Sequence, residues 1–188
     1  MARPGLSHRA VVLALAASLA TAVPLAVAPA TGLDLQGRTA FTRPPWKVDL
    51  VSYHTTVGQP WAEYYFTVEL PAGAGAALGE LSIQQTRGVD RHFDFNVERT
   101  RAFLGRPRRE GAAVPVEARF DAAARRFSIR FPRPVAPGNT VTLVIRPWSN
   151  PAQSDTYLFQ VTAYPAGANP SPAPLGFGTL RIYDPDWR

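Results

Sequence analysis

Asp90, His92 and Asp94 alternate along one stretch of this chain, and Asn96 and Glu98 continue the series. Two carboxylates flanking an imidazole are the donor types that hold Zn²⁺, Mn²⁺ or Ca²⁺. On a strand such side chains stand in a row about 6–7 Å apart, whereas a metal gathers its ligands within about 2.0–2.5 Å. A metal site there needs a further donor from a neighbouring strand. Without one, the stretch is an ordinary solvated face. Arg106, Arg108 and Arg109 close a run that begins with Arg99 and Arg101 and surrounds Gly105 and Pro107. Three forked cations on a short exposed loop suit carboxylate, sulfate or phosphate groups spaced along a polymer. The competing reading is a solvated connector partly paired with Glu98 and Glu110. Arg126 and Arg130 stand on the solvent face of another expected strand. Trp148 lies in a Pro-Trp-Ser-Asn-Pro loop, where an indole either stacks on a sugar or caps a core. Trp46, Trp61 and Trp187 are the other candidates for such a sugar-stacking platform, and Trp148 is the best placed of the four.

Several chemistries find no support. Ser52 and His54 share a strand face, but no G-x-S-x-G elbow accompanies them, so a nucleophilic triad has no footing. Asp184-Pro185-Asp186 reads as a charged tail rather than a calcium loop. The H-E-x-x-H, P-loop and G-x-G-x-x-G signatures are absent. The chain has no cysteine, which excludes disulfides, thiolate metal sites and a cysteine nucleophile. No cofactor is expected.

The elements that must position these residues are strands. Ala62, Tyr64, Phe66, Val68 and Leu70 alternate with polar neighbours, as do Phe127, Ile129 and Phe131. Val141, Leu143 and Ile145 repeat the pattern, and so do Tyr157, Phe159, Val161 and Ala163. Period two gives each strand one face for a core and one for solvent. Weaker strands are predicted over 47–56, 80–86, 89–98, 113–120 and 179–184, separated by turns rich in Pro and Gly. The chain has 19 prolines and 14 glycines among 188 residues, and no window carries a helical stripe. The expectation is an all-β fold, an antiparallel two-sheet β-sandwich of immunoglobulin-like topology.

The first 30 residues read as a secretory signal. Arg3, His8 and Arg9 precede an uncharged run, Ala10 to Val23, which Pro24 breaks before small-x-small sites that end at Ala28 and Ala30. Cleavage after Ala30 leaves a lead-in over 31–45 and one domain over 46–188, with no transmembrane anchor. Removing Arg3 and Arg9 leaves 18 basic against 14 acidic side chains, a net charge of +4. That balance is too mild for a nucleic-acid binder, and export argues against nucleic acid as a partner.

Several segments together resemble a cyanobacterial family of secreted proteins, the domain of unknown function 2808. They are Ala62 to Thr67, Arg101 to Gly105, Pro134 to Thr142, Arg146-Pro147 with Asn150-Pro151, Tyr157 to Pro165, and Leu175 to Gly178. The resemblance runs in order from about Pro45 to Tyr183. It implies an all-β exported domain and brings no catalytic residues. The resulting expectation is a periplasmic or extracellular module of the cell envelope or matrix, non-enzymatic, whose partner is an acidic glycan or an envelope protein. Arg106, Arg108, Arg109 and Trp148 are its candidate contacts. The alternative is an exported metal-binding or hydrolytic protein that uses Asp90, His92 and Asp94.

Overall fold

The computed structural model describes residues 33–35 and 37–185. The signal segment, Asp186 and Trp187 therefore lie outside the described residues. A short hairpin, β1 (Leu33–Leu35) and β2 (Arg38–Ala40), leads in. Ten further strands follow: β3 (Val48–Val51), β4 (Tyr64–Glu69), β5 (Leu78–Arg87), β6 (Arg101–Arg106), β7 (Arg109–Val114), β8 (Glu117–Asp121), β9 (Arg126–Val135), β10 (Thr140–Ile145), β11 (Asp155–Pro165) and β12 (Ala173–Ile182). They form two antiparallel five-stranded sheets, ordered β3-β4-β10-β6-β7 and β12-β11-β5-β9-β8. The triplets β3-β4-β10 and β12-β11-β5 follow the immunoglobulin order A-B-E and G-F-C, with two extra hairpins, β6–β7 and β8–β9, inserted between β5 and β10. Among the described residues, no helix is long and apolar enough to cross a membrane.

Alternation builds the core as the sequence implies. Tyr64, Phe66 and Val68 of the first sheet face Phe127, Ile129, Tyr157 and Val161 of the second, and all are buried. The lead-in also packs: Phe41 is buried, Thr39 donates to the Ala168 carbonyl, and Thr42 donates to that of Ala74.

Three departures from the sequence reading have physical causes. First, 89–98 is not a strand but an irregular loop that ends in a 3-10 turn, Val97–Arg99. Gly88 starts it at φ +131 with its backbone against the Tyr157 ring, a conformation open only to glycine. Side chains then satisfy the backbone locally: Asp90 accepts the His92 amide and Gln85 donates to the Asp90 carbonyl, in place of a ladder. Second, 113–120 breaks at Pro115, so that β7 ends in the first sheet and β8 begins in the second.

Third, the hairpin β6–β7 went unread, and it covers the outer face of its own sheet. Gly105, at φ +102, sits at a register shift and turns the tip inward. Thr142 then donates to the Gly105 carbonyl at 2.6 Å. Arg106 reaches across β10 to Glu69 on β4 and to Asp49 on β3. Strands lie about 4.8 Å apart, so a side chain on β6 meets β3 only if the tip leans over the sheet. Beneath it Tyr65, Phe103 and Val144 form a second small core, with the Thr67 and Thr142 hydroxyls paired at 3.0 Å. This explains why both faces of β4 and β10 are buried where alternation predicts only one.

Candidate functional site

The arginine hairpin is largely engaged within the molecule. Arg106 is held by Asp49 and Glu69, and the Arg108 guanidinium lies 4.1 Å from the Tyr53 ring centroid, with Arg108 itself at φ +65 in the turn. Arg109 is exposed at the start of β7, opposite Arg106. The segment is a braced hairpin rather than a free loop.

Asp90, His92 and Asp94 occupy the loop before the 3-10 turn. The Asp90 carboxylate accepts the amides of His92 and Ala152, each at 2.9 Å. Partial burial pushes its pKa up, but these two donors together with the nearby charges of His92 and Arg125 outweigh burial and hold it below the ordinary value. The loop is pinned from below by Arg125, buried against the rings of Phe93, Phe95 and Phe120 and donating twice to Gln85 Oε1 at 3.2 Å. Burial lowers the pKa of that guanidinium. Among the described residues, no three His, Cys, Asp or Glu side chains are grouped closely enough to hold a metal ion. Ser52 and His54 lie in one tight turn, in which the serine hydroxyl donates to the His54 carbonyl.

The same loop builds one wall of a groove at the end of the sandwich. The groove measures about 540 Å³ and lies between Trp61 and Trp148, with Asn96, Glu98, Arg99 and Arg146 along it. Trp61 is 71% exposed and Trp148 58%, so each indole leaves most of its surface in solvent. Trp61 takes φ +63, a conformation rare for a bulky residue and one that surrounding structure must impose. The backbone around both rings is fixed by long-range bonds. Pro60 bridges Ser149, Phe95 bridges Pro147, and the Trp148 amide donates to the Asp94 carbonyl at 2.9 Å. Asn150 is the central pin. Buried to 1% exposure, it accepts the Tyr64 hydroxyl at 2.8 Å and donates to the carbonyls of His54 and Thr56 at 3.0 and 2.9 Å.

Arg146 is oriented from the outer sheet face. Its Nε donates to Glu63 at 2.7 Å, and Glu63 also accepts the Tyr65 hydroxyl and faces Arg101 at 3.6 Å. Partial burial raises the Glu63 pKa, while the Tyr65 hydroxyl and the two arginines more than reverse this and leave it below the usual value. Burial and that carboxylate push Tyr65 up to about 12. The loop sequence alone singles out Trp148 as a candidate, and the structure leaves its ring exposed. Its pairing with Trp61 is not legible there, because it depends on contacts 87 positions apart in the chain, of which the Pro60–Ser149 bridge is the nearest trace.

No curated protein matches the sequence. Among solved structures, the chain is similar to a DUF4466 family protein from Parabacteroides merdae, at 12% identity and TM-score 0.46, over 74% of this chain and 46% of that one. It is similar to the collagen-binding domain of a Staphylococcus aureus adhesin, at 7% identity and TM-score 0.39, over 76% and 99%. It is also similar to an uncharacterized Nocardia farcinica protein described as having an immunoglobulin-like fold, at 17% identity and TM-score 0.39, over 72% and 97%. In the first case the chain spans less than half of its neighbour's length. The model of the protein of unknown function DUF2808 matches residues 38–182, and the chain belongs to that family.

Proposed function

We propose that this chain is an exported, non-enzymatic module of the cell envelope or extracellular matrix that binds a glycan in the Trp61–Trp148 groove. The observation that carries the proposal is the pair of exposed indoles held on rigid backbone across one groove. An indole face receives the apolar C–H face of a sugar ring, and its rigidity keeps the entropy cost of binding low. Asn96, Glu98 and Arg99 supply the donors and acceptors that sugar hydroxyls need. Glu98 is the one carboxylate among the lining residues, whereas glycoside hydrolysis commonly uses a pair, which favours binding over cleavage. Export follows from the N-terminal charge and hydropathy pattern.

The test is gel-retardation and calorimetric titration of residues 31–188 with soluble neutral polysaccharides. Trp61→Ala and Trp148→Ala should each weaken binding at least about tenfold, the cost expected for a central aromatic anchor. Both should melt within a few degrees of the parent, since neither ring is in the core. If both variants bind every retained polysaccharide as the parent does, the groove is not the site.

A further inference from the structure

The two outer sheet faces treat their charges differently. On the first sheet, Arg101, Arg106 and Arg146 are all in ion pairs with carboxylates of the same face. On the second, the only ion pair among the described residues is Arg130 with Glu117, at 3.9 Å. Arg119 and Arg126 are exposed there, and neither has a side-chain hydrogen bond or ion pair among the described residues.

Register gathers these side chains. Arg119 on β8 stands directly opposite Ser128 on β9, and Arg126 and Arg130 flank Ser128 two positions away on either side. Residues i and i+2 are about 6–7 Å apart on a strand and neighbouring strands about 4.8 Å, so three arginine positions lie next to Ser128 on one face. Arg119, Ser128 and Arg130, with Glu80 and Glu117, line a hollow of about 210 Å³. The row continues across the sheet from Ser128 to Ser82 on β5 and Thr162 on β11. Longer side chains wall it on both sides: Gln160, Gln84 and Arg126 on one, Tyr164, Glu80 and Arg130 on the other. The result is a shallow trough four strands wide, about 14 Å, floored by hydroxyls and with its cations at one end.

We infer that this face is a second binding site, separate from the tryptophan groove, for an acidic polysaccharide whose sulfate or carboxylate groups seat among Arg119, Arg126 and Arg130. Forked guanidinium groups pair with such anions in bidentate geometry. The hydroxyl floor then meets the hydroxyls of the adjoining sugar. A polyol chain fits that floor, while a protein partner would bring apolar anchors for which the trough offers no pocket. Glu80, Glu117 and Asp121 share the face, so binding depends on short-range pairing rather than on net field and is lost at high salt.

The experiment uses dextran sulfate and uncharged dextran as probes on residues 31–188. The parent should bind dextran sulfate at low salt and release it below about 1 M. Exposed ion pairs contribute a factor of roughly two to five each, so R119Q/R126Q/R130Q should weaken binding at least about tenfold. Trp148→Ala should leave it unchanged. R106Q/R108Q/R109Q should also leave it unchanged provided that it melts as the parent does. Should either triple variant misfold, phenylglyoxal footprinting of the parent replaces it: dextran sulfate should protect Arg119, Arg126 and Arg130 from modification, and dextran should not. Equal affinity of parent and R119Q/R126Q/R130Q, or protection of other arginines instead, overturns the inference. Loss of binding in Trp148→Ala would also overturn it, by placing the acidic polymer in the groove. Failure of both tryptophan variants to affect neutral polysaccharides would sink the groove reading and leave this one standing.

Discussion

Replacing Asn150 with alanine should both destabilise the domain and blunt the groove, and the size of the first effect follows from the contacts. The amide makes three hydrogen bonds in a fully buried position. His54 is exposed and Thr56 half-buried, and the Thr56 carbonyl keeps the Gln59 amide as a donor, so losing these two bonds costs less. The Tyr64 hydroxyl has no such relief, because Tyr64 is wholly buried. An orphaned buried hydroxyl costs about 1–3 kcal/mol, and two lost bonds with partial rescue add about 1 kcal/mol, so the expected loss is about 2–4 kcal/mol. Urea unfolding followed by intrinsic fluorescence measures it as a shift in midpoint at constant slope. The decisive comparison is a double-mutant cycle with Tyr64→Phe. If the cost is the orphaned hydroxyl, Tyr64→Phe should destabilise the parent but cost nothing, or even restore stability, in the Asn150→Ala background, giving a coupling of about 1–2 kcal/mol. Strict additivity would refute this account and assign the loss to cavity formation. In parallel, Asn150→Ala should lose polysaccharide affinity in the groove, because the loop bearing Trp148 is released, whereas Tyr64→Phe should retain most of it.

Gly88→Ala should be among the most damaging single changes, above about 3 kcal/mol, since it combines an unfavourable φ with a Cβ placed 2.1 Å from the Tyr157 ring; thermal unfolding measures it, and a shift under 3 °C would show that the loop re-forms elsewhere. Arg106→Gln should cost no more than about 1 kcal/mol at low salt, because the pairs are half-exposed, and the difference from the parent should vanish at 1 M NaCl. The Glu63 carboxylate has a depressed pKa in the fold, so its ionised form adds stability above the ordinary value of 4.5 that is lost as pH falls through the lower folded value. The gap between parent and Glu63→Gln in urea midpoint should therefore be full at pH 7 and shrink from about pH 4.5 downward; a gap that persists unchanged at pH 2 would assign it to packing.

Much of the fold was written locally. Phe127 to Phe131 alternates cleanly because one face lies on the common core, and Tyr64 to Leu70 and Val141 to Ile145 place one face there too, with Tyr65 and Val144 buried in the small outer core on the other. What escaped the pattern was whatever is settled by a second surface. Arg101 to Arg106 (RAFLGR) gave no clear alternation, because Phe103 serves the small outer core while Ala102 faces the main one. Residues 89–98 gave a false one: Phe93 and Phe95 are buried as the period implies, but around Arg125 and without a strand ladder. Periodicity reports which side chains are buried and is silent on where the backbone finds its hydrogen bonds.

The same distinction decides how far a site can be read. Candidate residues were visible by type, since arginines and tryptophans are conspicuous, yet what each is free to do depends on partners far away in sequence. Arg106 looked available until Asp49 and Glu69, 57 and 37 positions away, were seen to hold it. Arg119 looked unremarkable until register placed Ser128 beside it and Arg126 and Arg130 around it. In a sandwich, most polar side chains are laid against strands that come from distant segments, so charge density along the chain is a poor guide to charge left unpaired on the surface. Trp61 shows the converse case. Gln-Pro-Trp-Ala does not set it apart from Trp46 and Trp187, but a left-handed backbone that keeps a large apolar ring in solvent carries a conformational cost, and the bridge from Pro60 to Ser149 and the bond from Asn150 to Gln59 hold it there. That cost, maintained beside a second exposed indole rather than relieved by burial, is the physical ground for giving the groove a ligand.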